Sequence, residues 1–189
     1  LREPDARRRS HWKPALRMGL HLAKALEFLR RRRLVHGNIV PANVLFGRDD
    51  LGRSKEVKLA DLMLSRALDG SALQESRLEA KLAAEIGFLS PEQAAGGVAD
   101  EMTDLYGLGA VMYARLTGNP PHQAATPAET VERILHTVPR KPIDVHKNIP
   151  EALSIAVMLL LAKPEDRCQS PSDLLAMLEP VAEREGIEA

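Results

Sequence analysis

Between Thr103 and Leu116 the sequence TDLYGLGAVMYARL leaves almost no polar face. Leu105, Leu108, Met112 and Leu116 line up at helical spacing, while Ala110, Val111 and Tyr113 cover the remaining directions. A helix apolar nearly all round is buried by other elements on every side. This segment is therefore expected to be the spine of the fold, with helices packed around it. The chain has 189 residues, which suits one domain with a core of its own.

The flanking segments agree with a mainly α domain. From Pro14 to about Arg32, Leu16, Leu20 and Ala23 form one line and Leu22, Leu26 and Leu29 the next, so the helix carries a broad apolar face. TPAETVERIL places Thr126 as cap, Pro127 at the first helical position and Glu129 three residues after the cap, a reciprocal capping box. SPSDLLAML repeats the pattern with Ser170, Pro171 and Asp173, and Pro150 opens an apolar helix ending near Lys163. SALQESRLEAKLAAEI, residues 71–86, reads as a helix with an ambiguous face inside an irregular segment. The extended runs LVH (34–36), NVLF (43–46) and EVKLAD (56–61) are too few to stand as a sheet, so they must lean on helices.

Charge is balanced overall but uneven. Residues 1–33 hold eleven Lys or Arg against three acids, a net of +8 that leaves −8 for the rest. The Arg clusters of this region raise one reading, a module that binds nucleic acid or an anionic surface, although no aromatic interleaving or reading motif accompanies them. The single cysteine, Cys168, excludes an internal disulfide and a Cys-based metal cluster, and suits a reducing, cytoplasmic compartment. The apolar run at 152–162 is too short to cross a bilayer. The first residue is Leu and a basic, polar stretch follows, so the chain is expected to be a piece of a longer one, without a signal peptide.

The stretch LVHGNIVPANVLF gathers His36, Asn38 and Asn43 in one loop with no carboxylate among them. Asn supplies neither a general base nor an anionic ligand. His36 has no second His, Cys or carboxylate at ligand spacing, so no zinc site is inferred.

Taken in order, VHGNIVPANVLF, VKLADLM, GFLSPEQ, DLYGLGAVMYARLTGNPP and LLAKPEDRC resemble the landmarks of a protein kinase, specifically the larger, helical lobe of a bacterial-type serine/threonine kinase. The resemblance covers about residues 14–182 and implies one partial domain over 1–189, helical with a small β-hairpin near the catalytic loop and with the smaller lobe absent. It implies further that Asn38 stands where the family has the Asp that accepts or orients the substrate's hydroxyl proton, and Val40 where it has a phosphate-steadying Lys. Gly37 replaces an Arg that pairs with a phosphorylated activation segment. Asn43 and Asp61 match the two residues that contact magnesium on the nucleotide. Leu62 and Met63 depart from the Phe and Gly that follow that Asp.

The scaffold positions match better. His36 packs beneath the loop in the family, Asp104 holds the loop's backbone, and Glu92 and Arg167 form a buried ion bridge. The resemblance thus implies a pseudokinase that binds a protein partner or other parts of its own chain. No cofactor is expected for the chain as it stands, with Mg/ATP bound only weakly or in a longer parent. The competing reading is an active serine/threonine kinase with its smaller lobe upstream and a base from elsewhere, such as Asp49 or Asp50.

Overall fold

The computed structural model describes residues 12–48, 54–62 and 85–187. Helix α1 spans Lys13–Arg31 with Pro14 in its first turn, where the missing N–H costs nothing. Its buried face comprises Ala15, Leu16, Met18, Gly19, Leu20, Leu22, Ala23, Leu26 and Leu29, wider than a single stripe because neighbours cover two sides of it. The helix closes by a Schellman motif: the Leu34 N–H donates to the Leu29 carbonyl at 3.0 Å and the Arg33 N–H to the Arg30 carbonyl at 2.9 Å. Arg33 takes the left-handed position of this motif with φ 55°, a place usually held by glycine.

A 3₁₀ turn, Pro41–Asn43, leads into strand β1, Val44–Arg48, which pairs antiparallel with β2, Ser54–Leu59. Val44 lies opposite Leu59 and Phe46 opposite Val57, and the register slips between Gly47 and Arg48. Val44 and Val57 are buried on the helical side, and β2 packs on α1. A two-stranded ribbon is marginal alone, and this support keeps it folded. The expected extended run at 34–36 is not a strand. The N–H of Leu34 is used to close α1 and that of His36 goes to the Asp104 carboxylate, so no ladder is available to them.

The short helix α2, Pro91–Ala94, precedes the spine, α3, Glu101–Thr117. Asp100 and Thr103 exchange side-chain and backbone bonds at the start of α3, a capping box formed by an Asp and a Thr. Twelve residues of α3 are buried, among them Asp104, Leu105, Tyr106, Leu108, Met112 and Leu116. Helix α4 is Pro127–His136, α5 Pro142–Val145, α6 Glu151–Leu160 and α7 Pro171–Arg184. Helix α1 packs on α3 and α7, α3 on α6, and α6 on α7, enclosing one continuous hydrophobic core. A Cβ on Gly109 would lie 2.5 Å from the Leu160 Cβ, so the close approach of α3 and α6 requires glycine there.

The Thr126 capping box forms in both directions, with Glu129 N–H to Thr126 Oγ1 and Thr126 N–H to Glu129 Oε2, each at 3.2 Å. At α7 only the forward half is present: Ser170 Oγ accepts the Asp173 N–H at 3.1 Å. Asp is one methylene shorter than the Glu of the reciprocal motif. The helix expected over 71–86 falls almost wholly outside the described residues. Among the described residues no helix is long and apolar enough to cross a membrane.

Candidate active site

The loop 36–43 lies between α1 and the hairpin and rests on the N-terminal half of α3. A Cβ at Gly107 would come within 3.0 Å of the Ile39 Cβ and 3.2 Å of its carbonyl oxygen, so glycine there lets the loop pack tightly on α3. Asp104 is buried one helical turn earlier on α3. Its two carboxylate oxygens accept the N–H groups of His36 and Gly37, each at 2.8 Å. Burial raises the Asp104 pKa, and the two backbone bonds partly oppose that rise.

His36 is buried. Its Nδ1 accepts the Asn38 N–H at 3.3 Å, so Nε2 carries the proton donated to the Ala60 carbonyl at 2.8 Å. The imidazole therefore joins the loop to the residue after β2. Asn43 is buried too, and its Nδ2 donates to the Asn38 carbonyl at 2.9 Å. That bond turns its Oδ1, the atom able to ligate a cation, the other way. The Asn43 carbonyl accepts the Ala60 N–H at 2.8 Å, which brings Asp61 to the same end of the hairpin.

Asp61 is exposed and has left-handed backbone, φ 60°. Among the described residues its carboxylate makes no hydrogen bond or ion pair. Asp is among the few residues besides glycine that take this conformation readily. Asn43 Oδ1 and the Asp61 carboxylate are each oxygen donors of the kind a hard cation takes, and the two residues lie at the same end of the hairpin. No cluster of three His, Cys, Asp or Glu residues able to hold a metal occurs among the described residues.

Asn38 is half-buried at the centre of the loop, and Val40 is turned into the protein with only 4% of its surface exposed. The structure thus brings His36, Asn38, Asn43 and Asp104 into one bonded unit with Asp61 at its rim, and turns the Val40 side chain away. Asp49, Asp50 and Met63 fall outside the described residues.

Glu92 and Arg167 form the second unit. Arg167 Nη1 lies 2.7 Å from Glu92 Oε1 and Nη2 3.2 Å from Oε2, a bidentate pair. The guanidinium also donates to the carbonyls of Ala162 at 3.0 Å and Met102 at 2.7 Å, and packs near the Tyr106 ring. Burial pushes the Glu92 carboxyl upward, but its bonds to Arg167 and the backbone outweigh that and hold its pKa below the ordinary value.

One residue joins the two units without having been singled out in the sequence. Gln93 Nε2 donates to the Gly37 carbonyl at 3.0 Å, while its Oε1 accepts the Ser90 N–H at 3.2 Å. The only sequence signal was the Ser90-to-Gln93 spacing of a capping box, which predicts the second bond and not the first.

The order of these anchors along the chain has a counterpart in known proteins. Residues 1–170 match the family model for protein tyrosine and serine/threonine kinases. This chain belongs to the protein kinase family. Its kinase relatives include a probable serine/threonine-protein kinase of Clostridium acetobutylicum, 32% identical over 161 residues, which is 85% of this chain and 23% of that protein. The serine/threonine-protein kinase PknB of Mycobacterium tuberculosis is 30% identical over 178 residues, 94% of this chain and 28% of that protein. That of Mycobacterium leprae is 33% identical over 159 residues, 82% and 24% respectively. The chain spans about a quarter of the length of these curated relatives. Its mostly helical fold with one small hairpin is that of the larger lobe of a kinase-like domain.

The basic end of α1 is largely engaged within the kinase fold itself. Arg30 pairs with Glu101 at 3.3 Å, Arg31 with Glu27 at 3.0 Å, and Arg32 stacks on Phe28 at 3.5 Å from the ring centre.

Proposed function

We propose that the chain is a catalytically silent kinase-like lobe, a pseudokinase, that acts by binding a protein partner or other parts of its own polypeptide. The observation that carries the reading is that Asn38 stands at the centre of the loop while, among the described residues, the two carboxylates that anchor the loop and α2 from the helical side are committed to structural bonds, leaving only Asp61 exposed at the rim. Both oxygens of Asp104 are occupied by backbone N–H groups, and both of Glu92 by Arg167. Asn38 itself has no basicity, and the loop gains no cation from the buried Val40. General-base catalysis contributes about 10²–10⁴ in rate, and phosphoryl transfer relies further on cations facing the developing charge.

The scaffold contacts, by contrast, are complete: the Asp104 bridge to the loop and the Arg167–Glu92 pair both form. This division between holding and reacting groups fits a domain used as a shape. The partial-domain reading of 1–189 belongs to the same proposal. Around the rim, Leu45, Phe46 and Leu62 expose 52%, 47% and 40% of their surfaces, and apolar surface of this kind beside the hairpin suits coverage by another lobe or a partner.

A second reading, an active serine/threonine kinase, draws on the exposed Asp61 carboxylate in left-handed backbone and on the relatives' names. Asn43 and Asp61 would then hold magnesium, which neutralises charge on nucleotide phosphates when bound. Phosphotransfer by the complete protein that carries this chain, compared with its Asn38→Asp variant, separates the two. The first reading expects labelling by the unmodified protein to be at least about a hundredfold slower than an ordinary kinase rate. Turnover at an ordinary kinase rate would overturn it.

A further inference from the structure

We infer that Gln93 is a positioning residue that fixes the shape of loop 36–43 by joining it to the start of α2. The side-chain amide sits between two backbone groups of fixed polarity. Its Nε2 faces the Gly37 carbonyl at 3.0 Å and its Oε1 faces the Ser90 N–H at 3.2 Å. The opposite amide orientation would set oxygen against oxygen and N–H against N–H, so the assignment is dictated by chemistry.

The bond closes a set of anchors. Asp104 takes the N–H groups of His36 and Gly37 from one side, and Gln93 takes the Gly37 carbonyl from the other. Gly37 therefore has both backbone polar groups fixed by side chains from two different elements. It also has φ 74°, a left-handed conformation that glycine adopts without steric cost, so the loop can turn there to meet both partners. Asn43 and His36 secure the rest of the loop through the Asn38 carbonyl and the Ala60 carbonyl. Every anchor is an ordinary side chain already in place. The inference holds for a silent loop and a reactive one alike, so its test is independent of phosphotransfer.

The test is amide hydrogen exchange on the full chain, unmodified and with Gln93→Glu or Gln93→Met. The glutamate keeps an acceptor for Ser90 but sets an anionic oxygen against the Gly37 carbonyl. Once protonated, it donates to that carbonyl again. The ionisable groups nearby are His36 and Asp104 towards the loop and Glu92, with Arg167, on its own side. The unmodified protein carries all four and serves as reference at each pH.

At neutral pH, amides of 36–43 in Gln93→Glu are expected to exchange roughly five- to tenfold faster than in the reference, the size of one neutral hydrogen bond, with α6 unchanged. On acidification through the carboxyl's pKa the difference should close, whereas Gln93→Met should stay fast at both pH values. No local acceleration in Gln93→Glu, or acceleration that acid leaves unchanged, would overturn the assignment. If the glutamate variant loses its fold, the methionine variant decides: acceleration confined to the loop supports the clamp, and uniform or absent acceleration refutes it.

Discussion

His122 follows α3 and is buried, with Nδ1 3.2 Å from Thr137 Oγ1. Thr137 donates its own proton to the Arg133 carbonyl at 2.7 Å, so the imidazole is the donor in this pair. Burial, helped by the charge of Arg133, lowers the His122 pKa to about 4 from the usual 6.5. Between those values the unfolded chain takes up a proton that the folded chain refuses. Its contribution to stability is therefore complete above about pH 6.5 and declines as pH falls towards 4, by about 3 kcal/mol in all. Asp104, with its raised pKa, works in the opposite sense, gaining stability as it protonates. Urea unfolding across this range should show the decline, and His122→Asn should flatten it. An unchanged slope in the variant would assign the pH dependence to other groups.

Among the elements, α1 shows how a helix end can be both well made and strained. Its Schellman closure is intact, yet Arg33 occupies the left-handed site where a side chain costs about 1 kcal/mol more than glycine. Arg33→Gly is expected to raise stability by about 0.5–1 kcal/mol, read as a higher urea midpoint at unchanged slope. A loss of stability would mean that the Arg33 side chain makes a compensating contact. The helix itself was legible from its leucine spacing, as were the Thr126 cap and the buried character of α3, because these signals are local. The fate of 34–36 was not. Val35 and its neighbours look extended, but their backbone partners are set by the end of α1 and by Asp104, 68 residues from His36. The Gln93 clamp was hidden for the same reason, since its two ends are 56 residues apart in the chain and nothing in residue spacing encodes that contact. The loop residues 36, 38, 40 and 43 were readable by type and spacing, whereas the burial of Val40 required the packing around it.

Across the whole molecule, the Arg167–Glu92 pair ties the segment before α3 to the loop before α7. Glu92→Gln should cost about 3–5 kcal/mol because it leaves the fully buried Arg167 charge uncompensated, Arg167→Met should cost less because Glu92 is only part-buried, and the double variant should cost clearly less than their sum. Strictly additive losses in denaturant melts would deny the coupling. With this bridge and the Asp104 and Gln93 anchors in place, the lobe presents a well-formed loop with Asn38 at its centre, the residue that under the proposed function stands where phosphotransfer needs a base. The most direct test is the single-turnover rate of phosphotransfer from ATP and magnesium by the complete protein bearing this chain. The account predicts a rate below about 0.01 s⁻¹, a hundredfold under the low end of the ~1–100 s⁻¹ typical of protein kinases, in line with the loss of a general base. A rate within that range with Asn38 in place would contradict it.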